Sequence, residues 1–262
     1  MCLILWAHDC HPRYKLVIIA NRDEFYERPT APTAFWEDCP SILAGRDEKE
    51  GGTWMGITTD GRWAALTNYR DPSDFNSKAP SRGRLVQEYL QNEVDAHNYM
   101  LGLLHESKPY NGYNLLAGTF DRIYYCSNRD HGPVQEVERG VHGLSNGLLN
   151  TPWPKVINGK RALESALSED HIDVEHLFAI LADREIPPDH EIISTGIAWE
   201  LERELASLHV ISPEYQYGTR SSSVVLINRH DEVQCWERTF TPYQPELFSQ
   251  VKFEFKADNI IL

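Results

Sequence analysis

The sequence predicts an α+β protein made of two antiparallel sheets with helices packed outside them. Short apolar runs of strand length occur in consecutive blocks, and pairs of segments with apolar residues at helical spacing separate these blocks. This order differs from the β-α-β alternation that is typical of a parallel sheet. Since no linker, repeat or low-complexity tract divides the 262 residues, we expect one domain over residues 1–262.

The first block of strands opens the chain. Apolar runs at residues 3–7 and 16–20 flank a turn-like His-Pro-Arg sequence, which indicates a hairpin. Residues 53–58 and 62–67 flank Asp60 and Gly61, a pair typical of a tight hairpin turn because glycine readily adopts positive φ angles. Two hairpins are therefore predicted before the first helix.

Helices and strands continue in blocks along the rest of the chain. Helices are predicted at residues 81–91 and 95–106, with Ser81 and Asp95 near their starts as caps. Further helices are predicted after Pro152 and Pro154 through residue 167, and at residues 174–182 and 199–208. Strands are predicted at residues 113–117, 122–126, 134–137, 141–145, 222–228 and 233–239, with an edge strand at 252–256.

The charge balance excludes one class of partner. Lys and Arg number 25 against 39 Asp and Glu, a formal net charge of −14, so the chain as a whole repels phosphate backbones and anionic lipid surfaces. We therefore expect no nucleic acid partner. The five cysteines are too few and too widely spaced for a disulfide framework, and no apolar run is long enough for a membrane span, which predicts a cytoplasmic protein.

Cys2 is the most informative cysteine because it follows Met1. Methionine aminopeptidase removes Met1 readily before a small residue, which would leave Cys2 with a free α-amino group. An α-amine with an ordinary pKa of about 7.7–8.0 can exchange a proton with the thiol, so one residue would carry both nucleophile and base. The alternative is that Cys2 only starts a strand. No metal site is predicted, since His8, Cys10 and His11 form one isolated cluster in a turn.

The polar run Asn-Arg-Asp-Glu at residues 21–24 ends the second apolar run and can lie beside Cys2 across the first hairpin. Strand alternation places Asn21 and Asp23 on one face and Arg22 and Glu24 on the other, so only one pair can face the thiol. Arg22 would lower the pKa of the thiol by charge attraction. Asp23 would hold the α-ammonium group, and Asn21 would orient a substrate carbonyl.

Together with five further motifs, this run makes the sequence resemble the NRDE family, also called the transport and Golgi organisation protein 2 family. The resemblance implies an αββα sandwich, the fold of N-terminal nucleophile hydrolases, which agrees with the predicted strand blocks. The further motifs span most of the chain: Gly-Gly-Thr-Trp-Met-Gly at residues 51–56, Ala-Leu-Thr-Asn-Tyr-Arg at 65–70, Leu-Ser-Asn at 144–146, Thr-Pro-Trp-Pro-Lys at 151–155 and Tyr-Gly-Thr-Arg-Ser-Ser at 217–222.

Penicillin V acylase and bile salt hydrolase share this fold, and the chain resembles them in layout. Their pattern implies Cys2 as nucleophile, Arg22 near it and Asp23 at the α-amine. It also implies Asn146 as an oxyanion-hole donor and Arg220 as a late charge partner. The alternative roles of the last two are a strand-end cap and a member of a surface ion pair. Arg22 and Asp23 are adjacent here, whereas two residues separate the early Arg and Asp in those hydrolases.

Two functions from different classes stay open. The family resemblance implies ligand handling, either haem trafficking or the handling of acyl-CoA and lipids, with haem as bound cargo rather than a catalytic cofactor. The residues themselves favour a cysteine amidohydrolase or acyltransferase that acts on a small non-peptide amide. Both functions require a pocket near Cys2 with aromatic walls and a few polar anchors. Its expected ligand-binding residues are Asn21, Trp54, Asn68, Tyr69 and Arg70, with Trp6 or Trp153 as further apolar walls.

Overall fold

Two seven-stranded antiparallel sheets form the centre of the computed structural model, which describes residues 2–105, 110–130 and 132–258. Sheet A contains β1 (Cys2–His8), β2 (Tyr14–Phe25), β10 (Gly140–Leu144), β11 (Ile211–Ser212), β12 (Tyr217–Asn228), β13 (Glu232–Thr241) and β14 (Gln244–Lys256). Sheet B contains β3 (Thr30–Phe35), β4 (Ile42–Asp47), β5 (Met55–Thr58), β6 (Arg62–Asn68), β7 (Tyr113–Thr119), β8 (Ile123–Ser127) and β9 (Gln135–Glu136). Sheet A has the order β10-β1-β2-β12-β13-β14, with β11 beside β12, and sheet B follows sequence order.

Helices cover the outer face of each sheet. Two helices pack on sheet B, α1 (Gly83–Gln91) and α2 (Ala96–His105), and two pack on sheet A, α3 (Pro154–Ala166) and α4 (Val174–Leu181). The short α5 (Trp199–Glu204) precedes β11, and single 3-10 turns occupy Pro72–Asp74 and Asp189–Glu191. The layers follow the order helix, sheet, sheet, helix, so the predicted αββα sandwich is confirmed.

The space between the sheets holds an apolar core to which alternate residues of β1 and β2 contribute. Ile4, Trp6 and Ile18 point into this space, where Trp63 of sheet B meets them. Because side chains alternate along a strand, Leu3 points towards the helices instead. The same alternation decides which residues at the ends of β1 and β2 can share a site.

The predicted hairpins are present, with different strand limits. β2 extends to Phe25, so residues 21–24 lie inside the strand rather than at its end. The second hairpin turns at Gly61, which has a φ of 84°. The sequence pattern does not predict β3 or β4, because Pro32 and Gly45 interrupt their short apolar runs.

The helix starts agree with the predictions in part. Asp95 accepts a hydrogen bond from the backbone N–H of Asn98, as expected of a cap. α1 begins at Gly83, and Arg82 before it makes no side-chain cap hydrogen bond, so the prediction that Ser81 caps this helix is wrong. α5 ends at residue 204 rather than 208. Residue 106 of the predicted second helix lies outside the described residues.

Gly52 allows the loop before β5 to touch the start of α1. A Cβ atom at this position would lie 2.6 Å from the backbone carbon of Gly83. We therefore expect Gly52→Ala to lower the free energy of unfolding by about 1–3 kcal/mol, because the two backbones must separate. Urea denaturation measures this change. Gly102→Ala is the matched control: no atom lies within 4 Å of its Cβ position, so destabilisation by this control would contradict the argument.

Sheet A joins segments that are distant in sequence. β1 lies between β2 and β10 and pairs Cys2 with Arg22. On its other side β2 pairs with β12, where Arg22 lies opposite Ser221 and Asn21 lies opposite Ser222. The polar run at residues 21–24 is therefore fixed in place by the first strand and by a strand near the end of the chain.

Candidate active site

Cys2 and Arg22 are cross-strand neighbours at one end of sheet A. They are paired in register, so their side chains leave the same face of the sheet, with Cβ atoms typically about 4.5–5.5 Å apart in such pairs. They share this face with Ile4 and Ala20, which belong to the core between the sheets. The thiol and the guanidinium group therefore point into the space between sheet A and sheet B.

A cavity of about 310 Å³ opens at this end of the space between the sheets. Five of the ten predicted site residues line it, namely Cys2, Arg22, Asp23, Trp54 and Asn68. The wall also carries Glu24, which strand alternation places on the same face as Arg22. Further charged side chains of the wall were not singled out from the sequence, namely Arg28, Arg46, Asp47, Lys49, Glu50 and Arg82. The cavity thus combines one nucleophile with a strongly polar wall and a single indole ring.

The environment of Cys2 favours the protonated thiol. Burial raises the pKa of the thiol, and the Asp23 carboxylate raises it further. The Arg22 guanidinium and a hydrogen bond from the Asp23 backbone N–H lower this pKa, because each stabilises the thiolate. Since the net direction is upward, Cys2 needs a base to become a nucleophile at neutral pH.

Two guanidinium groups in the cavity wall act on the thiol by charge, one from each sheet layer. Arg22 is 6% exposed, and its Nη1 has no hydrogen-bond partner in the described part of the chain. Arg82 lies just before α1, close enough to Cys2 for a charge interaction, and its Nη1 donates to Gly112 O at 2.9 Å. Both cations are placed to stabilise negative charge near the sulfur atom.

Asn21 lies on the opposite face of β2 and does not reach the cavity. Its Nδ2 donates to Leu181 O and Leu208 O, both at 2.9 Å, and its Oδ1 accepts from Ser222 Oγ at 2.5 Å. The two Nδ2 bonds hold the end of α4 and the segment after α5 against sheet A, and the Ser222 bond joins β2 to β12 within the sheet. The prediction that Asn21 orients a substrate carbonyl is wrong, because strand alternation turns it away from Cys2.

Asp23 has its carboxylate on the same face as Asn21, although its backbone N–H reaches the Cys2 sulfur. Its Oδ1 accepts a hydrogen bond from Thr219 Oγ1 at 2.7 Å, and Tyr217 Oη donates to its backbone carbonyl at 2.7 Å. Burial raises the pKa of the carboxyl group, and the Lys155 ammonium opposes this rise. The role of Asp23 at the α-amine stays a prediction.

Asn146 is connected to Cys2 through its neighbour in sequence. Ser145 Oγ donates to Cys2 O at 3.1 Å, and Asn146 Nδ2 donates to Asn68 O at 2.8 Å. Asn146 is 1% exposed and is not part of the described cavity wall. One N–H of its amide group is thus used to hold Asn68, which does line the cavity.

Arg70 and Tyr69 do not line the cavity among the described residues, contrary to the prediction. Arg70 instead forms a buried ion pair with Glu202, with Nη1 and Oε2 2.6 Å apart, and stacks over the Trp153 ring. The predicted aromatic walls Trp6 and Trp153 are both buried in apolar cores. Tyr69 and Arg70 miss the cavity because β6 ends at residue 68, where the chain leaves it.

Arg220 supports the cavity wall from behind. It lies at an irregularity in the pairing of β12 with β2. Its Nη1 donates to three backbone carbonyl oxygens, those of Phe25, Tyr26 and Arg28. It does not line the described cavity. Arg220 therefore holds the turn after β2, which carries the cavity residue Arg28.

Three of the charged residues that sequence reasoning missed bear on the site most directly: Arg82, Lys155 and Glu202. Helical periodicity contains the signal for Lys155, since it lies on the buried stripe of α3 with Gly159 and Leu163. The other two have no such signal. Arg82 lies at the start of α1, where a polar residue is ordinary. Glu202 lies in the first turn of α5 beside another acidic residue, which is also ordinary for a helix start.

Other regions offer fewer reactive groups. A larger hollow of about 760 Å³, lined by residues such as Arg13, Asn228 and Lys256, contains none of the predicted site residues. Within residues 2–105, 110–130 and 132–258, no three His, Cys, Asp or Glu side chains are grouped as metal ligands. Over the same ranges, no helix has the length and apolar character needed to cross a membrane.

Solved structures of low sequence identity share this fold. A variant of the conjugated bile acid hydrolase from Clostridium perfringens superposes with a TM-score of 0.53 at 10% identity, covering 100% of this chain and 99% of that chain. An N-acylethanolamine-hydrolyzing acid amidase ortholog from Caenorhabditis elegans has a TM-score of 0.50 at 9% identity, covering 86% of this chain and 92% of that chain. These similarities establish an N-terminal nucleophile hydrolase-like fold.

Sequence comparison identifies closer relatives. A Transport and Golgi organization protein 2 homolog from Bos taurus is 36% identical over 280 residues, which cover 99% of this chain and 100% of the relative. Transport and Golgi organization protein 2 from Drosophila melanogaster is 30% identical over 273 residues, which cover 94% of each chain. The family profile described as Transport and Golgi organisation 2 matches residues 1–242. The chain therefore belongs to the Transport and Golgi organisation 2 family.

Proposed function

We propose that the protein is a cysteine amidohydrolase of the N-terminal nucleophile type, with Cys2 as nucleophile after removal of Met1. The observation that carries this proposal is the place of Cys2, which lines a polar cavity beside the Arg22 guanidinium. The two fold relatives are described as hydrolysing N-acylethanolamines and conjugated bile acids. A small acyl amide is therefore the substrate class that we assign.

The proposed reaction uses the α-amine of Cys2 as base. The amine accepts the thiol proton while the sulfur atom forms a bond to the amide carbonyl carbon, which gives a tetrahedral intermediate. When the C–N bond breaks, the α-ammonium group returns this proton to the leaving amine. Water then cleaves the thioester, and the acid product leaves. Arg22 stabilises the sulfur while it carries negative charge.

Asn146 is the side chain that we assign to the oxyanion. Its Nδ2 donates one N–H to Asn68 O, which leaves the second N–H for the substrate oxygen. The support is its fixed position, because Asn146 O also accepts from the backbone N–H of Arg70 at 2.9 Å. A rigid donor of this kind is what oxyanion stabilisation requires.

Intact mass spectrometry tests the proposal. The processed protein is incubated with a fluorogenic octanoyl amide, and the mass is recorded while the released amine is followed by fluorescence. We expect loss of Met1, a transient gain of one octanoyl group and steady release of the amine. Cys10→Ala is the matched control, because Cys10 is an exposed cysteine away from the cavity and should keep full activity. An adduct that persists in Cys2→Ala, or turnover without Cys2, would overturn the proposal.

Ligand handling is the second candidate, and one observation favours it. Arg22 and Arg82 both approach the cavity, and neither forms an ion pair with a carboxylate in the described part of the chain. Such groups suit the acidic groups of haem or of an acyl-CoA. Titration with haem and with octanoyl-CoA tests this candidate. Binding that weakens in Arg22→Gln without any turnover would favour a carrier.

A further inference from the structure

The cations in the wall of the cavity differ in whether a carboxylate of this chain balances them. Arg28 Nη2 lies 2.5 Å from Asp47 Oδ2, and Arg46 Nη1 lies 2.6 Å from Asp38 Oδ1. Arg82 lines the same wall, and no carboxylate of the described residues lies at ion-pair distance from it. Its guanidinium group therefore keeps its capacity for an acidic partner from outside the chain.

The guanidinium group of Arg82 is held in place from two sides. The carbonyl of the next residue, Gly83, accepts a hydrogen bond from the backbone N–H of Thr53 at 3.3 Å. Arg82 Nη1 donates to Gly112 O at 2.9 Å, which uses one of the five N–H groups of the side chain. Within the described part of the chain, the other N–H groups have no acceptor. A fixed fork of free donors is suited to bind a carboxylate in two-point contact.

The remaining charged groups of the wall leave an excess of positive charge. Lys49 and Glu50 are adjacent in sequence and offset each other in charge. Oε1 of Glu24 accepts a hydrogen bond from the next backbone N–H at 2.9 Å. Arg22 and Arg82 together outnumber this carboxylate, although the whole chain has a formal net charge of −14. Arg22 lies opposite the nucleophile in the sheet and acts on the sulfur, so Arg82 is the cation left for the substrate.

We propose that Arg82 binds an acidic group on the amine portion of the substrate, which makes the substrate an N-acyl amino acid. This inference rests on the proposed function, because it names the class of amide that Cys2 attacks. In an N-acyl amino acid, three bonds separate the carboxylate carbon from the amide carbonyl carbon, a distance of about 3–4 Å. The acid group therefore stays close to the nucleophile, in the small cavity that Arg82 shares with Cys2. Trp54 and Leu66 of the same wall offer apolar surface to the acyl chain.

Calorimetric titration of Cys2→Ala protein tests the inference without turnover. N-octanoylglycine and N-octanoylethanolamine have the same acyl chain and the same amide, but only the first carries an acid group. We expect N-octanoylglycine to bind roughly 10- to 100-fold more tightly, and Arg82→Gln in the same background to bring the two affinities close together. Arg82→Lys should keep part of the preference, because the charge remains. Arg122→Gln removes an exposed arginine outside the cavity and should leave the ratio of affinities unchanged.

The outcomes separate this inference from the proposed function. Equal binding of the two compounds by Cys2→Ala protein, or a preference that Arg82→Gln leaves unchanged, overturns the role of Arg82. The first of these results decides even if Arg82→Gln does not fold. Hydrolysis of both compounds by processed protein with equal kcat/KM would leave the proposed function standing without this inference. A preference that depends on Arg82, without any acyl adduct at Cys2, would support acid binding by Arg82 and reject amide hydrolysis.

Discussion

Replacement of Cys2 by alanine is expected to lower kcat for amide hydrolysis by roughly 10⁴- to 10⁶-fold, because the variant lacks the sulfur atom that bonds to the carbonyl carbon. The fold should survive, since the change removes one small buried side chain at the end of β1. Steady-state kinetics on the fluorogenic octanoyl amide, combined with a thermal melt, checks both parts. We expect the melting temperature to stay within about 4 °C of the parent value.

Protein purified with Met1 retained is the matched control for this experiment. It keeps the thiol but blocks the α-amine, so it should be almost as inactive as Cys2→Ala. Turnover at the parent rate by this form would show that the amine is not the base. Activity in the retained form and none in Cys2→Ala would then point to another proton acceptor near the thiol.

Loss of Glu202 is expected to give the largest change in stability. Glu202→Ala should lower the free energy of unfolding by about 3–5 kcal/mol, because the buried Arg70 guanidinium group loses its carboxylate partner. The side chains of Arg70 and Glu202 are 8% and 1% exposed, so solvent cannot replace the lost partner. Thr195 also loses the acceptor of its backbone N–H and of its hydroxyl group. Urea denaturation measures the change.

Glu200 provides the matched control on the same short helix. It is exposed, so Glu200→Ala should change the free energy of unfolding by less than about 0.5 kcal/mol. The double variant Arg70→Met with Glu202→Leu should recover part of the stability, because apolar side chains then replace both charges of the buried pair. Equal effects of Glu200→Ala and Glu202→Ala would contradict the assignment of the buried pair.

Local patterns were sufficient to predict part of this site. Alternation along a strand placed Arg22 and Asp23 on opposite faces of β2, and the hairpin placed one of these faces beside Cys2. The same rule, applied together with the register, would have excluded Asn21 from the cavity. The choice between the two faces needed the position of sheet B, which residues 2–25 do not contain.

Longer-range contacts account for the rest. Asn146 is linked to the site by two neighbours: Ser145, which follows β10 of sheet A and bonds to Cys2 O, and Asn68, which ends β6 of sheet B and accepts from Asn146. Arg70 forms its ion pair outside the cavity with Glu202, a residue 132 positions away. Such pairs follow from tertiary packing and leave no period or spacing in the sequence. Lys155 is intermediate, because the periodicity of its helix is visible in the sequence but its hydrogen bond to Leu205 O is not.

The register of sheet A imposes an order on the events of synthesis. Cys2 is 6% exposed in the complete fold, in which β2 pairs with β12, and the paired residues Arg22 and Ser221 are 199 residues apart along the chain. A ribosome that adds about 5–20 residues per second needs roughly 10–40 s to make that stretch. During this interval β2 has no β12 to pair with, so sheet A is incomplete. An aminopeptidase working on nascent chains has this period to reach Met1, and its access closes when the sheet is complete.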